Sequence, residues 1–314
     1  MDSAGAAFCA LLQRRVAAAG GTLELSGVSP AARDSLSVFR VRDSDASPGR
    51  RREGFFERVG GSVYSSFLGF VLFAVLVTDT FYATVTGFFG RRQRVRLAAI
   101  IEQMIRIGLE SFAIVGLISF LVGLTVSLQS AVQLAQFGAN IFLVDLIALG
   151  MTRELGPLIT AIILAGRCGS SIAAELATMV ITEEVDALRT MGVQPVRFLV
   201  VPRYIAISIM QPLLTMMANL LGILGGFVIA LVSLEIGPEA FGLRLMNSLM
   251  LWDIVTGLIK SVAFAWIIVF VGAHRGFQVY GGAVGVGKAT TDSVVQAIFA
   301  VIVADAFFSI IFYL

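Results

Sequence analysis

The chain has 314 residues, of which 57% are hydrophobic and only 14% are charged, and its mean hydropathy is +0.90. A soluble domain carries about 25% charged residues, so this chain cannot cover an ordinary water-facing surface and is predicted to be an integral membrane protein. The net charge of only +2 excludes strong attraction to nucleic acid, and no nucleic-acid partner is expected.

The first 40 residues have the pattern of a small α/β segment. Helical spacing over residues 6–16 ends at Gly20-Gly21, and residues 22–26 alternate like a short strand. Residues 41–54 are charged and rich in Ser and Pro, which is typical of a linker. We therefore predict a separate N-terminal segment over 1–40, followed by that linker.

The membrane domain is predicted to cover residues 55–314 and to begin with an apolar stretch at 59–89. This stretch is interrupted by Asp79 and followed by a basic run at 91–96. An amphipathic beginning and a basic end favour a helix that lies in the membrane interface or re-enters the membrane, rather than one that crosses it.

Five later segments each contain the roughly 20 mostly apolar residues that a helix needs to cross a bilayer. They are residues 111–129, 146–167, 204–234, 254–273 and 293–314. Basic residues cluster before the first span, between the second and third, and between the fourth and fifth, whereas the opposite loops hold only Arg244. We predict an all-α membrane protein with a cytosolic N-terminus and a C-terminus on the far side of the membrane.

A short amphipathic helix is predicted in the loop between the second and third spans. Thr182 can cap this helix, and acidic residues that suit a helix N-terminus follow in its first turn, namely Glu183, Glu184 and Asp186. Its apolar face contains Val185, Leu188 and Met191. Because acidic residues disfavour contact with an anionic membrane surface, we expect the helix to dock on a protein partner.

Several ungapped motifs resemble the MlaE permease family, and together they cover residues 55–314 in order. They are residues 153–157 (RELGP), 165–170 (AGRCGS), 174–176 (AEL), 183–191, 201–203 (VPR), 259–262 (IKSV) and 285–291 (GVGKATT). The resemblance implies a homodimeric permease of an ABC transporter in the bacterial inner membrane. Such a permease works with a separate ATPase subunit, and helix 183–191 would be the coupling helix that receives the ATPase stroke.

The same resemblance implies a substrate and a second partner. The expected substrate is a lipid, in the first instance a phospholipid, which the permease exchanges with an MCE-domain lipid-binding protein between the inner and outer membranes. The glycine-rich residues 285–291 then belong to the family pattern and not to a nucleotide-binding site.

The N-terminal segment resembles the second half of a STAS domain, in which Ser3 matches a serine that is often phosphorylated. The strands that normally precede this part do not occur between Met1 and Ser3, and 40 residues cannot easily bury a core of their own. We therefore expect either that a partner, such as a STAS-type regulatory protein, covers the segment, or that the natural protein begins upstream of Met1.

Four charged residues inside the predicted spans are the candidates for a functional site: Arg153, Glu154, Lys260 and Asp305. At 1.5 Å per residue, all four lie about 9–13 Å from the outer end of their spans. A charge at such depth is costly and usually marks function. We predict one network in the outer half of the lipid pathway, with Lys260 and Asp305 in direct contact.

Arg153 and Glu154 are adjacent, and their side chains therefore point about 100° apart on the helix. Only one of them is expected to face the pair of Lys260 and Asp305, while the other faces a cavity. A network that only holds the helices together is the alternative.

Two other functions remain open at this point. A membrane-embedded enzyme could use Glu154 and Asp305 as acid and base, but the chain has a single histidine and no nucleophile motif. A STAS-regulated anion carrier would suit the N-terminal segment, although five spans without an evident inverted repeat are untypical of one. The leading interpretation is a transporter subunit with no catalytic residue, cofactor or metal of its own.

Overall fold

A computed structural model describes residues 55–89 and 97–313, together with the single positions 12, 15, 16, 20 and 21. Apart from those positions, the predicted STAS-like segment, its Ser3 and the linker 41–54 lie outside the described residues. All regular structure in the described part of the chain is helical. Residues Phe67–Leu314 form one compact unit, in which the helices pack against one another.

The helices of residues 55–313 are numbered here in chain order. They are α1 Phe55–Phe89, α2 Leu97–Gln136, α3 Phe142–Ile181, α4 Glu184–Thr190, α5 Val196–Leu234, α6 Pro238–Ser248, α7 Leu251–Phe277 and α8 Gly282–Tyr313. Two of the long helices contain π-helical turns, which are Met151–Leu155 and Ala165–Gly169 in α3 and Val196–Val200 in α5.

Six of these helices are long and apolar enough to cross a membrane, namely α1, α2, α3, α5, α7 and α8. Five of them contain the five predicted spans, so the prediction of a helical membrane protein is confirmed. In α1 the stretch Phe67–Gly87 meets the same criterion of length and composition. Its predicted position in the interface therefore stays a prediction.

The spanning helices extend well beyond the apolar windows seen in the sequence. Helix α2 has 40 residues, which corresponds to a length of about 60 Å, twice the hydrocarbon thickness of a bilayer. Helix α8 likewise begins at Gly282, far ahead of the predicted span 293–314, and follows a turn in which Gly281 has a φ of 88°.

Glycines bring the backbones of α2 and α5 into direct contact. A Cβ atom on Gly123 would collide with the backbone of Gly222, and one on Gly225 would collide with the backbone of Phe120. Such close approach is typical of packing between membrane helices. The two helices run in the same direction, and α3 runs opposite to both, as expected for the first three predicted spans.

Helix α1 packs through aromatic rings against α5 and α7. The ring of Phe73 lies 5.5 Å from that of His274, and the ring of Phe81 lies 5.3 Å from Trp266 and 5.6 Å from Tyr204. These rings border the largest buried core, which α3, α5, α7 and α8 form together.

The loop between the third and fourth predicted spans contains the short helix α6. Arg244 of α6 forms an ion pair with Asp145 of α3, and Ser248 donates to the same carboxylate. The hydrogen bond and the negative charge of Asp145 raise the pKa of the Arg244 guanidinium. The single basic residue of the loops that are predicted to lie outside is thus tied to α3.

Candidate functional site

The ammonium group of Lys260 is the centre of a buried ionic cluster. Its Nζ atom lies 2.8 Å from Oε2 of Glu154 and 3.1 Å from Oδ1 of Asp305. It also lies 2.8 Å from Oγ of Ser309. We call Glu154, Lys260, Asp305 and Ser309 the outer cluster, after the predicted orientation of the chain.

Three helices position these groups. Glu154 lies in the first π-helical turn of α3, Lys260 in the middle of α7, and Asp305 with Ser309 one turn apart on α8. The hydroxyl of Ser309 lies 2.9 Å from Oε1 of Glu154 and 2.8 Å from the carbonyl oxygen of Asp305. The three N–H donors of the lysine therefore have three acceptors within reach.

The cluster explains how a lysine can be fully buried between apolar helices. The side chain of Lys260 has no exposed surface, whereas those of Asp305 and Glu154 are 15% and 35% exposed. A lone cation in this position would be very costly, and two carboxylates and a hydroxyl compensate for its lost hydration. The open side of the cluster is therefore Glu154.

Arg153, which was predicted to belong to the same network, forms an ion pair with Asp253. Its Nη2 and Nε atoms lie 2.6 Å and 2.7 Å from Oδ1 of Asp253, which is almost completely buried in the first turn of α7. The other carboxylate oxygen of Asp253 accepts from the backbone N–H of Met250. As expected from their adjacency, Arg153 and Glu154 face different partners.

Asp253 and Ser309 are the members of the site that sequence reasoning missed. Asp253 comes directly before the predicted span 254–273, where an acidic residue is ordinary, and Ser309 is a neutral residue in an apolar span. The four residues named from the sequence have no net charge, but with Asp253 included two cations face three carboxylates, so the formal charge is −1.

A second ionic cluster lies at the predicted cytosolic ends of α2, α3 and α5. Glu175 pairs with Arg203 at 2.5 Å and with Arg106 at 2.8 Å, and Arg167 pairs with Glu110 at 3.1 Å. We call these five residues the inner cluster; its formal charge is +1. They surround a pocket of about 50 Å³.

Helix α4 occurs in the predicted loop but begins later than expected. Glu183, which was predicted to lie in the first turn, instead precedes the helix with a φ of 61°, and Thr182 donates to Thr178 and Glu184 rather than capping the helix. Val185 is buried and Leu188 packs against the core of this same chain. The apolar face is therefore partly used internally, and Met191 alone of its three residues is largely exposed.

The chemistry available at these clusters is ionic and acid–base in character. Among the described residues, no group of three or more His, Cys, Asp or Glu side chains is placed to hold a metal ion. We call the outer cluster together with Arg153 and Asp253 the outer site. Its most exposed charged groups are the guanidinium of Arg153 and the carboxylate of Glu154. Such a pair suits the recognition of a charged polar group.

Comparison with known proteins identifies relatives of the membrane domain. The family model described as "Permease MlaE" matches residues 100–311. A probable ABC transporter permease of Rickettsia typhi is 36% identical over 209 residues, which cover 67% of this chain and 81% of that protein.

A similar permease of Synechocystis is 39% identical over 67% of this chain and 80% of its own length. The intermembrane phospholipid transport system permease protein MlaE of Haemophilus influenzae is 32% identical over 259 residues, which cover 82% of this chain and 92% of that protein.

Proposed function

Since the chain belongs to the MlaE family of ABC-transporter permeases, and is therefore a transport protein rather than an enzyme, we propose that it moves phospholipid across or out of a bacterial inner membrane. The name of the Haemophilus relative, a phospholipid transport permease, supports this choice of substrate. The proposed assembly contains two copies of this chain, a separate ABC ATPase and an MCE-domain lipid-binding protein. The proposed orientation has the N-terminus in the cytosol and the C-terminus in the periplasm.

The proposed contact of the substrate with this chain is the open side of the outer site. Arg153 and Glu154 each keep about a third of their side chain exposed, at 34% and 35%, while Lys260 is completely buried. Arg153 would attract the phosphate of the lipid, and Glu154 would interact with a basic headgroup or its water. This uneven exposure is the observation on which the proposal depends.

The remaining members of the site would hold the two exposed groups in place. Lys260, Asp305 and Ser309 fix the carboxylate of Glu154, and Asp253 fixes the guanidinium of Arg153. We propose that these are positioning residues that do not touch the lipid.

Helix α4 is the proposed contact with the ATPase subunit. Because Val185 and Leu188 are used internally, the surface left for a partner is acidic, with Met191 beside it. Its acidic residues are Glu183, Glu184 and Asp186. The matching groove on the ATPase should therefore carry basic residues around an apolar centre.

Reconstitution of the complete complex in vesicles tests this function. Wild-type complex should transfer fluorescent phospholipid to the MCE-domain protein in an ATP-dependent manner. Arg153→Ala should lower transfer strongly, and so should the double variant Arg153→Ala, Asp253→Asn, which leaves no buried carboxylate unpaired and should preserve assembly. Asp145→Asn, which changes an ion pair away from the site, should leave transfer unchanged. ATP-dependent transfer at the wild-type rate by Arg153→Ala would contradict the proposed substrate contact.

A further inference from the structure

Helix α5 carries a stripe of polar side chains that is buried against α2 and α3. Gln211 and Thr215 have no exposed surface, and Asn219 is 8% exposed. These residues follow one another at intervals of four, so they lie along one face of the helix. We call them the α5 stripe.

The polar atoms of the stripe have no hydrogen-bond partner in this packing. Among the described residues, this holds for both amide atoms of Gln211, the hydroxyl of Thr215 and the amide oxygen of Asn219. It also holds for the hydroxyl of Thr160, which is fully buried in α3. Three more such atoms belong to Ser111 and Ser119 of α2 and to Asn140 in the loop after it. Orphaned polar atoms are expensive, and more so at membrane depth, where no solvent can replace the missing partner.

The register of the helices places Thr160 opposite the stripe. The closest approach of α3 and α5 brings Gly156 against the side chain of Asn219. Because these helices are antiparallel, four residues further along each of them bring Thr160 level with Thr215. The orphaned groups therefore face one another along a single seam between α3 and α5.

Along α3, the seam lies between the levels of the two ionic clusters. At its outer end, Gly156 follows Glu154 by two residues, and at its inner end α3 reaches Arg167. Thirteen residues separate Glu154 from Arg167, a distance of about 20 Å along the helix. The polar seam thus occupies part of the apolar core between the level of a cluster of formal charge −1 and that of a cluster of formal charge +1.

Both walls of the seam contain backbone features that permit movement. Pro212 lies inside α5, next to Gln211, and removes the N–H that would bond to the carbonyl of Ser208. The segment of α3 that faces the stripe, Gly156–Leu164, is bounded by the two π-helical turns. Prolines and π-helical turns are common sites of bending and register change in helices.

We propose that the seam between α3 and α5 opens to water during the transport cycle and carries the polar headgroup of the lipid along α3, from the level of the outer cluster towards that of the inner cluster. In the packing described here the seam is closed, and its polar groups are unpaired. Opening would hydrate Gln211, Thr215, Asn219 and Thr160, which explains why these positions are polar. The choice of a lipid headgroup rests on the proposed function, whereas the opening itself does not.

Thiol labelling of the complete complex in vesicles tests the opening. Cysteine is introduced singly at Gln211, Thr215 and Asn219, in a chain whose Cys9 and Cys168 are replaced by alanine. A charged methanethiosulfonate reagent reacts only with thiols that contact water, so labelling should be slow without nucleotide. The labelling rate should rise about tenfold or more during ATP turnover, which corresponds to about 1.4 kcal/mol in the free energy of opening the seam.

Leu220→Cys is the matched control, because Leu220 lies beside Asn219 on α5 but its side chain is 64% exposed at the apolar outside of the helices, where we expect lipid and not water to surround it. It should stay unlabelled in both conditions. An absence of ATP-dependent labelling at all three stripe positions would overturn the proposal, and so would equally fast labelling with and without ATP. Because phospholipid transfer is measured on the same vesicles, failure of the substrate assignment is seen separately.

A second test uses apolar replacements of nearly the same shape. Thr215→Val and Thr160→Val remove an orphaned hydroxyl, so each should favour the closed seam by about fivefold and slow turnover accordingly. Thr125→Val is the control, since the hydroxyl of Thr125 already bonds to the carbonyl of Leu121. Faster turnover, or no change relative to this control, would overturn the proposal.

Discussion

Removal of the buried lysine separates a structural role of the outer cluster from a transport role. In Lys260→Met, the carboxylates of Glu154 and Asp305 lose a cation at 2.8 Å and 3.1 Å and remain close to each other. Breaking a buried ion pair by deleting one partner costs about 3–5 kcal/mol. We expect a clearly lower thermal midpoint of the purified complex.

Neutralising the whole cluster should reverse that loss. In the triple variant Lys260→Met, Glu154→Gln, Asp305→Asn, no charge is left to be compensated, and a neutral replacement of a buried ion pair is often tolerated. The thermal midpoint should return close to that of the wild type, while phospholipid transfer stays low because Glu154 is missing from the open side. Recovery of both stability and transfer would refute the transport role and leave a network that only holds the helices together.

Three further predictions concern other parts of the chain. Gly123→Leu should prevent stable folding, because its Cβ collides with the backbone of Gly222, whereas Gly242→Ala points into open space and should behave as wild type in size-exclusion chromatography. Glu175→Gln should lower the free energy of unfolding by roughly 1–3 kcal/mol, because Arg203 and Arg106 lose their shared carboxylate, and this should be measured as a lower thermal midpoint. Glu184→Arg should reduce co-purification of the ATPase while the membrane fold stays intact. Leu188→Asp should disturb that fold as well, because Leu188 packs against the core. Recovery of the ATPase with Glu184→Arg at the wild-type yield would contradict the assignment of α4.

The membrane architecture could be predicted from the sequence because a helix that crosses a bilayer needs about 20 mostly apolar residues, which appear as an apolar window. The apolar windows located five helices correctly, but they gave no measure of helix length. Helix α2 extends from Leu97 to Gln136, whereas the predicted span covers 111–129. A helix continues beyond the hydrocarbon wherever its polar ends still have good helix-forming residues, and such residues do not register as apolar.

The candidate site could be predicted in part, because the position of a residue along a span gives its depth in the membrane but not the side chains that it contacts. Counting residues placed Lys260 and Asp305 at one level, and their contact at 3.1 Å agrees with that level. The same counting placed Arg153 there too, but its orientation around the helix directs it to Asp253. Orphaned neutral residues such as Gln211 carried no charge signal, and only the packed structure distinguishes them from ordinary polar residues.

Helix α3 connects every feature to which a function has been assigned here. Its first π-helical turn carries Glu154 of the outer cluster, its second carries Arg167 of the inner cluster, and its last segment carries Glu175. Only Thr182 and Glu183 separate the end of α3 from α4. A displacement of α4 by an ATPase would therefore act first on the ion pairs of Glu175, which connect α3 to α2 and α5. Loosening those pairs would release the inner end of the seam, so an ATPase stroke at α4 and an opening between α3 and α5 can be parts of one movement.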